Sequence, residues 1–198
     1  EKGLMEKGVD THSLNLPFTG VNDDIASVSS AIDNIDNQVI LLGHSYGGIV
    51  ISGAAEAKQN VEQLIYLSAI LLEDGESMQL DGSKIQIDVD ENLISEVKRN
   101  SAIPAFYADV DPNLAEASIE LLRPFPIVAG SKGVGEAWRE KHSSYIVCQE
   151  DEAIPPELQY AMAKKADKVI EWECGHSPFL SKPALIIDFL LDLASSTS

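Results

Sequence analysis

Little in this chain is basic. Of its 198 residues, 14 are Lys or Arg and 32 are Asp or Glu, a formal net charge of −18 at pH 7. A surface of that sign repels nucleic-acid phosphates and anionic lipid head groups, so neither is expected as a partner. Cysteine is nearly absent. Cys148 and Cys174 stand far apart and in no CxxC or Cys/His spacing, which argues against a zinc site and for buried free thiols rather than a disulfide. No apolar run approaches the roughly 18 residues a membrane helix needs. The start, Glu1-Lys2-Gly3-Leu4, has neither an initiator methionine nor the make-up of a secretion signal. The expectation is a cytoplasmic chain that begins partway through a gene product.

What is present suits one globular domain, with 44% hydrophobic residues and short β-branched runs alternating with helix-like stretches. That alternation is the pattern of an α/β fold with a mainly parallel sheet. Gly8 to Leu16 reads as a first strand ended by Pro17. A helix capped by Asn22 or Asp23 follows to about Ile35, with Ile25, Val28, Ile32 and Ile35 on one face. Gln38 to Leu42 reads as a strand buried on both faces, Gly47 to Lys58 as a small-residue helix, and Val61 to Ala69 as a further strand. Residues 72–137 change character. Acids, glycines and prolines punctuate short helices around Asn92–Arg99 and Pro112–Leu121, which suggests a lid above the sheet. Strands resume over Ser144–Cys148 and Lys168–Glu173, separated by a helix started by Pro155 and followed by one over Lys182–Leu193.

Gly43-His44-Ser45-Tyr46-Gly47 is a G-x-S-x-G between an apolar strand and a helix, the context a nucleophile elbow requires. The sharp turn lifts the Ser45 hydroxyl clear of the sheet and aims the Tyr46 N–H at a developing oxyanion. A histidine and an acid must complete such a site. His12 and His44 lie on or before the elbow, and His142 precedes a strand. His176 follows a strand and the turn glycine Gly175, which places it at the C-terminal edge of the sheet with Ser45. The acid is one of Glu150, Asp151 and Glu152, which stand in a row after the strand ending at Cys148, or else Asp74. The residues alone leave that choice open.

Four segments settle a resemblance: Gly43-His44-Ser45-Tyr46-Gly47-Gly48, Phe106-Tyr107-Ala108-Asp109, Tyr145 through Pro155 (Y-I-V-C-Q-E-D-E-A-I-P), and Gly175 through Pro183 (G-H-S-P-F-L-S-K-P). In this order they resemble the α/β-hydrolase branch that holds plant methylesterases, hydroxynitrile lyases and bacterial pyrethroid-hydrolase-type carboxylesterases. The likeness runs from about residue 1 to 195. It implies a three-layer α/β-hydrolase fold with a small helical lid, Asp151 as the triad acid and His176 as the base. It also implies that the first three strands, and a His-Gly loop supplying a second oxyanion donor, are missing ahead of this chain. In that case the strands near Val9–Leu16 and Gln38–Leu42 face a gap.

The expectation is therefore a serine hydrolase of small-molecule carboxylic esters. It works through Ser45, His176 and Asp151 with the Tyr46 N–H as oxyanion donor, and it needs no metal or organic cofactor. Phe106, Tyr107, Leu121 and Leu122 are candidate pocket residues, with packing inside the lid the preferred role. Two other classes fit part of the sequence. A hydroxynitrile lyase-like C–C lyase is disfavoured because the lyases carry a lysine after the histidine and a cysteine after the serine, where this chain has Ser177 and Tyr46. A non-catalytic hydrolase-like binding module would follow from an incomplete oxyanion hole.

Overall fold

The computed structural model describes residues 1–126 and 132–196. Its frame is a 4-stranded parallel sheet, β1 (Val39–Ser45), β2 (Val61–Ala69), β6 (His142–Cys148) and β7 (Lys168–Trp172), in the order β1-β2-β6-β7. β1 and β2 are joined through helix α3 (Gly47–Ala54), and β6 and β7 through α6 (Pro156–Ala163). Because every strand runs the same way, all four C-terminal ends meet at one edge, and this shared edge is the one property of the fold on which the site depends.

The central strands are apolar because both faces are covered. Leu64, Tyr66, Tyr145 and Val147 face a core made with Val28 and Ile32 of α2 (Val21–Asp33), Ile49 and Val50 of α3, and Met162 of α6. Ile65, Leu67 and Ile146 face the other way, onto Ile186, Phe189 and Leu190 of α8 (Pro183–Ser196). The alternation within one strand feeds two cores, which makes three layers. Tyr66 and Tyr145 pair across the strands with stacked rings, and their buried hydroxyls are satisfied by Ser52 Oγ at 2.9 Å and the Ala69 carbonyl at 2.5 Å. Cys148 and Cys174 are free and fully buried in the second core.

Between β2 and β6 the chain leaves the sheet and builds a small antiparallel sheet, β3 (Ile87–Val89), β4 (Ile94–Val97) and β5 (Phe125–Pro126), with helices α4 (Arg99–Phe106) and α5 (Pro112–Ile119). Part of the segment expected as a lid, residues 127–131 of 72–137, lies outside the described residues. Asp111 caps α5, accepting from the N–H groups of Asn113 and Leu114 at 3.0 and 3.2 Å, with Pro112 in the first turn. Ala102, Tyr107, Val110, Ala115 and Ile119 form its own core.

Three expectations are corrected. Residues 8–16 are not a strand: among the described residues nothing pairs with them, and His12, Ser13 and Leu14 are exposed. A strand exists only through a partner, and the outer edge of β1 has no ladder partner among the described residues. The helix expected around Asn92–Arg99 is instead β4, because Asp90 closes a tight turn by accepting from the Ile94 N–H at 2.8 Å and Ile94–Val97 finds partners on both sides. Leu121 does not pack within the lid; it is 79% exposed, and Leu122 is 36% exposed. Among the described residues no helix is long and apolar enough to cross a membrane.

Candidate active site

β1 ends on Ser45, whose φ of 53° puts a non-glycine residue in the left-handed region. Close packing holds the turn there. A Cβ on Gly43 would sit 2.6 Å from the Gly47 carbonyl oxygen, and one on Gly48 would sit 2.5 Å from that of Ile70, whereas a Cβ on Gly47 would meet nothing within 4 Å. The strand therefore approaches its own helix at Gly43, and the helix approaches the end of β2 at Gly48. Gly43→Ala and Gly48→Ala are expected to destabilise by about 1–3 kcal/mol each, while Gly47→Ala stays within about 0.5 kcal/mol, as chemical denaturation would measure.

The Tyr46 N–H, at the start of α3, donates to no partner among the described residues. The Tyr46 side chain is pinned behind the elbow. Its hydroxyl donates to Asp24 Oδ2 at 2.7 Å, and the other oxygen of this fully buried carboxylate accepts the Phe18 N–H at 2.8 Å. Burial first, then the Asp24 carboxylate, raises the Tyr46 phenol well above its ordinary range, so it stays a donor. The Phe18 and Phe125 rings lie 6.1 and 6.4 Å from that of Tyr46.

The loop after β6 turns its three acids in different directions. Glu152 pairs with Lys84 at 2.8 Å, Glu150 is exposed, and Asp151 is 2% exposed. Asp151 Oδ1 accepts the N–H groups of Ala153 and Ile154 at 2.7 and 2.9 Å, a side-chain turn that explains the D-x-A-I-P run. Oδ2 accepts from Gln159 Nε2 at 3.0 Å, from His176 Nδ1 at 2.8 Å and from Ser68 Oγ. Burial alone would raise the Asp151 carboxyl. The adjacent His176 and these hydrogen bonds outweigh it and hold the carboxyl below its usual value. Asp74 is elsewhere, accepting from the Gly135 N–H at 3.2 Å.

His176, 2% exposed, is held from the other side by its neighbours. His44 Nε2 lies 2.8 Å from the His176 carbonyl oxygen. Burial first and then His176 push His44 down to about 3, so the ring is neutral at pH 7, and a carbonyl partner requires its proton on Nε2. The Phe106 and His44 rings lie 5.4 and 4.5 Å from the His176 ring. Asp109 Oδ2 accepts the N–H of Gly175 at 2.9 Å, where a Cβ would collide with Oδ1 at 2.5 Å, so the segment between β2 and β6 is tied directly to the His176 loop. His142, at the opposite end of its strand, is 86% exposed in its side chain.

The structure thus places Ser45, Asp151 and His176 on one sheet edge and joins Asp151 to His176. The Ser45–His176 hydrogen bond expected from the sequence is not formed: the polar contacts of His176 run to Asp151, Ser68 and His44. Catalytic bonds of this kind are commonly loose without substrate. Ser68, His44, Gln159 and Asp109 were not assigned to the site from sequence. His44 and Asp109 lie inside two of the segments that carry the resemblance, which was the available signal for them, whereas Ser68 and Gln159 had none. Among the described residues no group of three His, Cys, Asp or Glu side chains could hold a metal ion.

The model of the Alpha/beta hydrolase family matches residues 4–189. The Alpha/beta hydrolase nvfD of Aspergillus novofumigatus is 30% identical over 87% of this chain and 77% of its own length. A putative chloroplastic methylesterase 11 of Arabidopsis thaliana is 27% identical over 96% of this chain, which spans 58% of that protein. In fold, the chain superposes on the crystal structure of a pyrethroid hydrolase from Sphingobium faniae with a TM-score of 0.82 at 22% identity, covering 97% of this chain and 88% of that one. The chain belongs to the alpha/beta hydrolase family.

Proposed function

We propose that this protein is a serine hydrolase that cleaves small carboxylic esters through an acyl-enzyme. One observation carries the reading: a left-handed Ser45 at a strand–helix elbow shares a sheet edge with a buried Asp151–His176 pair. Relatives named as methylesterases and other hydrolases support the ester class. In this mechanism Ser45 Oγ attacks the ester carbonyl carbon and its proton passes to His176 Nε2. The Tyr46 N–H receives the oxyanion. Collapse expels the alcohol, protonated by His176, and leaves an acyl-Ser45. Water, deprotonated by the same imidazole, releases the acid. Asp151 fixes Nδ1–H and stabilises the imidazolium.

Hydrolysis of a p-nitrophenyl ester by the protein and by Ser45→Ala tests this reading, with a cyanohydrin as the second substrate. Ester cleavage that disappears in the variant is the expected result. Cyanohydrin cleavage alone would assign a lyase, and no turnover of either would assign a binding module.

The charge adds a preference. With a net charge of −18, neutral esters should be hydrolysed faster than anionic analogues. The gap should narrow as salt shortens the screening length below about 8 Å. Initial rates on a matched pair at low and high salt measure it, and a salt-independent preference for the anion would contradict it.

A further inference from the structure

We infer that Ser68 is a positioning residue for the Asp151–His176 pair, a role that rests on the hydrolase reading above. In β2, Leu67 stands opposite His44 and Ala69 opposite Ser45, so Ser68 is an extra residue in the ladder, a bulge at the last step before the site. Its φ of 41° is left-handed, and it is fully buried. An L-residue other than glycine occupies that region under strain, and the surroundings must hold it there.

The bulge has a consequence. It departs from the regular alternation of β2, and the hydroxyl reaches the neighbouring Asp151 loop, where Ser68 Oγ donates to Asp151 Oδ2. The same oxygen lies 3.3 Å from His176 Nδ1, which is itself 2.8 Å from Asp151 Oδ2. A hydroxyl has one proton to give and lone pairs to receive. With that proton spent on the carboxylate, Ser68 Oγ can only accept from Nδ1–H. The imidazole proton is then shared between two oxygens at fixed positions, which restricts both ring tilt and tautomer and leaves Nε2 unprotonated, as the base of this mechanism must be. Each of the parallel strands therefore places a polar group at the site: Ser45 at the end of β1, Ser68 at the end of β2, Asp151 after β6 and His176 after β7.

The test uses Ser68→Gly, which removes the hydroxyl and suits the left-handed backbone, so that folding is retained, with Ser68→Ala as the companion. The expected result is a kcat lowered by about 10-fold in both variants with KM little changed, because the hydroxyl touches the base and its acid rather than substrate. A structural role alone would not alter the second readout, the low-field proton NMR resonance of His176 Nδ1–H. It should move and exchange faster with water in Ser68→Gly. This signal is read without turnover, so it reports on Ser68 even if the protein hydrolyses no ester. A Ser68→Gly protein with unchanged kcat, or with an unmoved resonance, would overturn the inference.

Discussion

Ser45→Ala is expected to lower kcat for ester hydrolysis by about 10⁶-fold while the protein stays folded. The size follows from the division of labour: without Oγ there is no acyl-enzyme, and what remains is the oxyanion site and substrate positioning. Ser45→Gly should lose as much activity and gain stability. Holding a non-glycine residue at φ 53° costs about 1–3 kcal/mol. A new glycine returns about 0.4–1 kcal/mol to the unfolded chain as entropy. The strain relief is the larger effect, so Ser45→Gly should unfold at higher denaturant than the parent. Ser45→Ala keeps the Cβ and should unfold near it. Equal stability of the three proteins would show that the elbow stores no strain.

Asp151→Asn is expected to lower kcat by about 10⁴-fold. It should also destabilise the fold by about 2–4 kcal/mol. Asparagine can still accept the Ala153 and Ile154 N–H groups through one oxygen. Its amide nitrogen then faces the donor Gln159 Nε2, and toward His176 Nδ1 it can only donate, which forces the imidazole proton onto Nε2. The variant has either opposed donors there or a broken turn at Ala153. The pH dependence has a definite sign. The Asp151 carboxyl is lowered in the folded state, burial notwithstanding, so its stabilising contribution is fully present above the unfolded value of about 3.9 and is lost as pH falls through the folded value. Tm against pH should therefore fall less steeply below about pH 4 in Asp151→Asn than in the parent. A parallel fall in both would mean that Asp151 is not the carboxylate held ionised by the core.

What was legible in the sequence was local. G-H-S-Y-G carries its own turn, because Gly43 and Gly48 stand where a Cβ would strike backbone. Val61–Ala69 has the same limits in the structure as in the pattern, since its central run Leu64–Leu67 is apolar, as a stretch covered on both faces must be. What failed was pairing. Residues 8–16 have a strand's composition and no partner among the described residues, while Ile94–Val97 sits in a helix-like run and finds partners on both sides. Ser68 was illegible for a related reason: its position depends on a one-residue register shift between β1 and β2, which no single strand reveals. Asp151 was separable from Glu150 and Glu152 by resemblance only. The physical ground for the choice, an Asx turn feeding two backbone N–H groups, needed coordinates.

The central claim is that Ser45 is a nucleophile activated at this sheet edge. A fluorophosphonate, which phosphonylates activated serines with loss of fluoride, tests it directly by intact mass and peptide mapping. The account predicts one adduct per chain, on the peptide containing Ser45, absent from Ser45→Ala and slowed in Asp151→Asn. No adduct under native conditions, or an adduct that persists in Ser45→Ala, would contradict it.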